Sequence, residues 1–127
     1  MKNTKMLMPV YPSQEQTVRV LNTDNEYGGA HSYVFRNSLG HQDGQAVYHD
    51  SVQQIDFVKK LSDGTMVPGL QSEQLLIALI DRHKKLNDAY RSRESSLAIT
   101  KMEEALHWLQ ARVQNRISRG VMGELKK

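Results

Sequence analysis

Residues 72–120 read SEQLLIALIDRHKKLNDAYRSRESSLAITKMEEALHWLQARVQNRISRG, and the fold is decided by how this stretch is punctuated. Ser72 stands where an N-cap belongs, and acidic Glu73 follows it at the positive end of the helix dipole. Leu75, Leu76, Leu79, Ile80 and Leu86 then recur at the helical period. Lys84 and Lys85 fall toward the C-terminal end, where the dipole favours cations, so this helix is predicted to stop near Ala89 or Tyr90. The polar connector RSRESS follows over 91–96, with Ser95 or Ser96 as the cap of a second helix. Leu97, Met102, Ala105, Leu106, Leu109, Val113 and Ile117 form the apolar stripe of that helix, and Gly120 stands just past its last turn in the C′ position. A connector this short makes the two helices antiparallel neighbours.

Upstream the pattern changes to strands and turns. TVRVL over Thr17–Leu21 alternates, and NTDNEYGGAH over Asn22–His31 is dense in turn formers. SYVFRNSL over Ser32–Leu39 is rich in aromatic and β-branched residues and reads as a strand. Asp43-Gly44 suits a tight hairpin, after which AVYHDSV and QIDFVKKL supply one or two further strands, with Ile55 and Phe57 on one face. Asp63-Gly64 marks another turn, and Pro68-Gly69 breaks the chain before the helices. The predicted class is α+β: a small antiparallel sheet of three or four strands over about 17–67, then an antiparallel two-helix hairpin over 71–120, within a single domain of residues 1–127.

Composition narrows the functions available. In 127 residues, 39% are hydrophobic but only two are Phe and one is Trp, a thin core of the kind that self-association supports. The absence of Cys excludes disulfides, thiolate catalysis and cysteine-ligated zinc, and suits a reducing cytoplasm. The opening MKNTKMLMPVYPSQ breaks at Pro9, too short an apolar run for a signal peptide or a membrane span, which predicts a soluble protein. A net charge of +3 is mild for a protein that coats DNA but accommodates a small anionic ligand.

Candidate chemistry concentrates at the end of the second helix. Arg112, Arg116 and Arg119 recur at i, i+4 and i+7, and the same stripe runs back through Trp108, Ala105 and Lys101. Guanidinium groups grip phosphate oxygens in pairs, and an indole stacks on a base. The competing reading is a solvated basic flank that complements the helix dipole, with Arg119 the residue best suited to that role. In the strand segment, alternation puts Tyr33, Phe35 and Asn37 on one face and Val34 and Arg36 on the other. The first face is core if helices cover it, and otherwise sets a ring beside a nucleotide base. The five histidines at 31, 41, 49, 83 and 107 form no HExxH and no metal-binding i, i+4 pair, so no metal or cofactor is predicted. No nucleophile elbow, Walker loop or GxGxxG occurs, and adjacent Glu103 and Glu104 point about 100° apart, so no catalytic residue and no enzyme activity are predicted.

With the helices placed, MVPGLQSEQLLIALIDRHKKLN and KMEEALHWLQARVQNRISRGVMGELKK resemble the second half of the Thoeris anti-defence protein one family. The smaller anti-CBASS protein two family shares a related ending of the form ALxWLxxRxxxRxxRGVxG, which here is Ala105, Leu106, Trp108, Leu109, Arg112, Arg116, Arg119, Gly120, Val121 and Gly123. SYVFRNSLG and QIDFVKKLSDGTMVPG also look like the strand region of the longer family, so the resemblance runs from about Ser32 to Lys127.

The resemblance implies a phage-encoded sponge acting in the cytoplasm of the infected bacterium. Such proteins bind, without cleaving, glycocyclic ADP-ribose isomers made by bacterial TIR-domain enzymes, and some also hold cyclic oligonucleotides. It implies a dimer able to build a hexamer, and a pocket between strand region and helices close to a subunit interface. Carried onto this sequence, the phosphate-gripping pair is Arg112 and Arg116; Phe35, Arg36 and Asn37, from the strand segment read above, are the further ligand-binding candidates. Relatives carry a Phe-Pro step in the connector where this chain has Tyr90, Arg91 and Ser92, which leaves Tyr90 as the stacking aromatic. The alternative in a different class is a small nucleic-acid-binding regulatory protein that lays the arginine helix along a phosphate backbone.

Overall fold

The structure, a computed structural model, describes residues 5–6, 17–21, 23–24 and 29–120. They form strands β1 (Lys5–Met6), β2 (Val18–Val20), β3 (Thr23–Asp24), β4 (Gly29–Ala30), β5 (Ser32–Gln42), β6 (Gln45–Asp56), β7 (Lys59–Lys60) and β8 (Met66–Val67), then helices α1 (Ser72–Ala89) and α2 (Arg93–Ser118). The expected α+β order is observed, and the chain divides after Gly69 into a strand unit and a helical unit.

In the strand unit, β1, β2, β5 and β6 make one antiparallel sheet in that order, beside the two-stranded pairs β3–β4 and β7–β8. The turn at Asp43-Gly44 forms as read, because both residues accept positive φ (53° and 77°), which a tight hairpin requires. The two segments expected after it are one twelve-residue strand, β6. Asp50, Gln53 and Gln54 are poor strand formers, but pairing with β5 from Ser32 opposite Asp56 to Gln42 opposite Gln45 overrides them, with register shifts near Ser38 absorbing the misfit. The ladder's phase is fixed at its ends. Phe57 N–H donates to the His31 carbonyl at 2.6 Å, while Arg36 N–H donates to the Thr17 carbonyl at 3.0 Å. Even-numbered residues at the start of β5 therefore bond toward β2, and Val52, Gln54 and Asp56 turn their backbone groups away from β5.

Val20 and Val34 are buried in this unit, together with Thr17. Tyr33 lies opposite both Val20 and Ile55, and meets Phe57 edge-on at 5.8 Å between ring centroids. Tyr33 and Phe35 are half-buried, whereas Val34, on the other face, is almost wholly covered. The β7–β8 turn is closed by Leu61 N–H to the Thr65 carbonyl (2.7 Å) and by Asp63 Oδ1 accepting from Thr65 N–H (2.8 Å). Gly69 is needed for space, since a Cβ there would sit 2.7 Å from the Phe57 carbonyl oxygen. Of the turn region expected over 22–31, residues 22 and 25–28 lie outside the described residues, while β3 and β4 pair on either side of 25–28; most of the opening segment read for export signals also lies outside them.

In the helical unit the caps differ by a few residues from the sequence reading. Gln71, not Ser72, occupies the extended N-cap position of α1, and its N–H is taken by Gln74 Oε1 at 2.8 Å, the reciprocal half of a capping box. Ser92, not Ser95 or Ser96, caps α2, its Oγ accepting from Ser95 N–H at 3.0 Å. Asn87 sets that choice by accepting Ser92 N–H and donating to Ser96 Oγ, both at 3.0 Å. Lys84 and Lys85 lie short of the last turn of α1 and pair with carboxylates instead: Lys84 with Glu103 across the hairpin and Lys85 with Asp81, each at 3.0 Å. Gly120 takes φ +70° and ends α2 as expected. Ile80 and Ile99 are buried, while Leu97 and Ile117, read as part of the apolar stripe, are open to solvent.

Candidate functional site

Helix α2 positions the arginines, and the structure divides them. At about 100° per residue, Arg116 stands about 40° beyond Arg112 toward the line of Leu109, while Arg119 falls on the other side. Arg112 and Arg119 are exposed, but Arg116 is only 7% exposed. Carrying the Lys84–Glu103 pairing along the antiparallel helices brings Arg116 level with the first turn of α1, which holds Glu73. Arg112 makes no ion pair among the described residues and shares its side of the helix with Trp108, an indole 70% exposed. A guanidinium one turn from an open indole can meet a phosphate and a flat ring together. That pairing was visible as spacing, whereas the burial of Arg116 was not, because a three-residue spacing blurs which edge of a stripe faces inward.

Tyr90 is 81% exposed at the C-cap of α1, in the connector. From there to Arg112 runs nearly the whole of α2, about 30 Å of helix. Within one chain the structure does not bring Tyr90 to Arg112 and Arg116.

The strand residues gather around the irregularity in β5–β6. Arg36 donates from Nε to the His49 carbonyl at 3.2 Å, lies 3.8 Å from the Asp50 carboxylate and packs over the Tyr48 ring at 6.0 Å. Asn37 uses both ends of its amide, accepting from Gln53 Nε2 at 2.7 Å and donating to Ser51 Oγ at 2.8 Å. Ser51 Oγ is also 2.8 Å from His49 Nδ1, which accepts the Ser51 backbone N–H at 3.1 Å. The contact has the reach of a serine and its base, but both residues are exposed, and among the described residues nothing orients the far ring nitrogen as nucleophilic catalysis requires. His49, Ser51 and Gln53 were not singled out from sequence, and their signal was the polar alternation along β6. Phe35 is half-buried opposite Val18 and Gln53.

A groove of about 400 Å³ also opens along the hairpin, floored by Ile77, Ile80 and Leu106 and rimmed by Asp81, Lys84, Glu103 and His107. Its charges are already matched by the Lys84–Glu103 pair. Among the described residues no three His, Asp or Glu side chains converge as metal ligands, and no helix is long and apolar enough to cross a membrane.

Comparison with known proteins bears on the hairpin above all. The family profile described as "Acb2/Tad1, hairpin domain" matches residues 50–114, from the second half of β6 to near the end of α2. Arg112 falls inside the match, and Arg116 and Arg119 lie just past it. The chain is also similar to a protein named "Thoeris anti-defense 1" from Bacillus phage SBSphiJ7, 42% identical over 60 residues. That alignment covers 46% of this chain and 42% of the phage protein, so the chain spans less than half the length of the relative. The resemblance read from the helix motif is thereby borne out, and because the profile takes in more than half of the sequence and both helices, the chain belongs to the Acb2/Tad1 hairpin-domain family.

Proposed function

We propose that this chain is a phage anti-defence protein that captures a cyclic ADP-ribose-type messenger, made by Thoeris TIR enzymes in the host cytoplasm, and holds it without cleaving it. The observation that supports this best is an exposed Arg112 beside an exposed Trp108, inside the part of the chain that matches the hairpin domain. In this reading Arg112 meets the pyrophosphate and Arg116, one turn on, stiffens or shares that contact. In the strand unit Phe35 and Asn37 offer a ring and an amide on one face of β5, and Arg36 a cation on the other, as further candidates for ligand contact. Tyr90 reaches the same ligand only from another copy of the chain, since about 30 Å of helix separates it from its own Arg112.

Energetics favour enclosure. Submicromolar capture needs better than about −8 kcal/mol. Two charge-assisted contacts, at roughly 1.5–3 kcal/mol each, fall short of that. Stacking and enclosure by a second subunit supply the remainder. The test is calorimetry with glycocyclic ADP-ribose isomers and cyclic oligonucleotides, then heat denaturation and chromatography of the released ligand. Intact ligand supports a sponge, and products make the protein an enzyme. Binding to short DNA with a steep salt slope, and none to the cyclic ligands, replaces both with a nucleic-acid-binding role.

A further inference from the structure

Two Asp-Gly steps turn the chain in the strand unit, Asp43-Gly44 between β5 and β6 and Asp63-Gly64 between β7 and β8. In such a step the glycine nitrogen can attack the aspartate carboxyl carbon, because the attacking residue has no Cβ to stand in the way. A Cβ at either glycine would meet nothing within 4 Å, so space does not separate the two turns. Hydrogen bonding does. Asp63 Oδ1 accepts from Thr65 N–H at 2.8 Å, and Gly64 N–H donates to the Leu61 carbonyl at 2.9 Å, so both reacting groups are held. Thr65 also keeps the Asp63 carboxyl below its ordinary value, which leaves less of it in the protonated form that can lose water. At the other turn Asp43 and Gly44 are exposed. Among the described residues neither the Asp43 carboxyl nor the Gly44 N–H has a hydrogen-bond or ionic partner.

We propose that Asp43-Gly44 is a site of spontaneous covalent modification, at which the peptide link of the β5–β6 turn becomes an isoaspartyl link. The Gly44 nitrogen bonds to Asp43 Cγ, and its proton leaves with the Cγ hydroxyl as water, closing a succinimide ring. Water then adds to one of the ring's two carbonyls. Addition at Cγ breaks the new bond and restores the aspartate. Addition at the Asp43 backbone carbonyl carbon breaks its bond to Gly44, leaving a free α-carboxylate and a chain that runs through Cβ and Cγ. The reaction needs only the water it releases and takes up, and it does not depend on what the protein binds. Its product is the substrate class of methyltransferases that esterify isoaspartyl carboxylates. It also lengthens the backbone inside a two-residue turn, so Gln42 cannot stay paired with Gln45, nor His41 with Ala46. The loosening ends at the register shift between Ser38 and Gly40, where the ladder is already interrupted.

The test is incubation of the full chain in heavy-oxygen water at mildly acidic pH, followed by tryptic digestion, which puts the two steps on separate peptides, 37–59 and 61–82. Electron-transfer fragmentation locates the isoaspartate, and methyl transfer by an isoaspartyl methyltransferase counts it. In the folded chain the product should gather at Asp43 about ten- to a hundredfold faster than at Asp63, the factor set by the hydrogen bonds that Asp63 and Gly64 must break. In guanidinium the two steps should react within a few-fold of each other. Asp43→Glu, which would have to close a larger ring, should abolish the product at this turn. Amide exchange in the aged chain should quicken over 41–46 and stay as it was over 32–36. Equal rates at the two steps in the folded chain overturn the proposal. So does a folded chain that stays unmodified at Asp43 while the unfolded chain reacts there, and unchanged exchange over 41–46 in the modified chain overturns the loosening.

Discussion

In the strand unit one long ladder, β5 with β6, holds residues that have little strand propensity of their own, and its buried hydrophobic side chains, Val20 and Val34, are small. In the hairpin unit the local signals agree with one another, from the caps at Gln71 and Ser92 to the stop at Gly120, yet beyond Ile80 and Ile99 the burial departs from residue type. Arg116 is covered, while Trp108, Tyr90, Leu97 and Ile117 stand in solvent. The comparison teaches where to look for function. A unit whose backbone is well specified but whose exposed face is aromatic, aliphatic and cationic has a surface suited to contact, whereas the strand unit depends on non-local pairing merely to form.

The largest test of that contrast is the arginine pair. Arg116→Ala removes a covered cation and is expected to cost about 2–4 kcal/mol of stability by urea unfolding. Arg112→Ala should move stability by no more than about 0.5 kcal/mol. It should weaken capture of the cyclic ligand about ten- to a hundredfold by calorimetry. Equal losses of stability in the two variants would erase the distinction between them and make both structural.

Next in size is the apolar contact inside the hairpin. Ile99→Ala should cost about 2–4 kcal/mol, read from exchange of the α1 and α2 amides. A loss below about 1 kcal/mol would mean that this helix pair is held by its caps and ion pairs rather than by packing.

How much of this was legible in the sequence follows from the range of the forces involved. Asp43-Gly44 and Gly120 were readable because positive φ is a property of one or two residues. The helical pair and its family ending were readable because periodicity repeats. Whether the segment after the hairpin held one strand or two was left open, since Asp50, Gln53 and Gln54 interrupt the pattern and only cross-strand pairing continues it as β6. Ser92 was passed over as a cap because its advantage comes from Asn87, a residue of the preceding helix. The three arginines looked like one stripe, but about 40° of rotation separates a covered guanidinium from an open one. The chain of His49, Ser51, Asn37 and Gln53 needed the register of β5 against β6 before it could be seen.

Caps and turns give a smaller test of the same contrast. Ser92→Ala should lose about 1 kcal/mol from the hairpin unit. Gly44→Ala, at φ +77°, should lose a similar amount, about 1 kcal/mol, from the strand unit. Exchange protection should fall around α2 for the first and along β5 and β6 for the second. Losses that spread evenly over all amides in both variants would mean that the two units unfold together.

The smallest effect sits at the end of the β5–β6 ladder. Hydrogen bonds from Gln54 and then Ser32 hold the Asp56 carboxyl below its ordinary value, with Lys59 adding to them against a small opposing burial effect. Because the folded state binds this proton less readily than the unfolded chain, the contribution to stability is present above the ordinary carboxylate range. It disappears as pH falls through that range toward the lowered folded value. The carboxyl is exposed, so solvent screens much of the effect, and the direct readout is an NMR titration of Asp56 itself. Its midpoint should lie below the roughly 3.9 of an unperturbed Asp and rise when Gln54→Ala and Ser32→Ala are combined. An ordinary midpoint in the parent chain would mean that Ser32 and Asp56 part in solution, so that the ladder frays at the residue where Phe57 and His31 should close it.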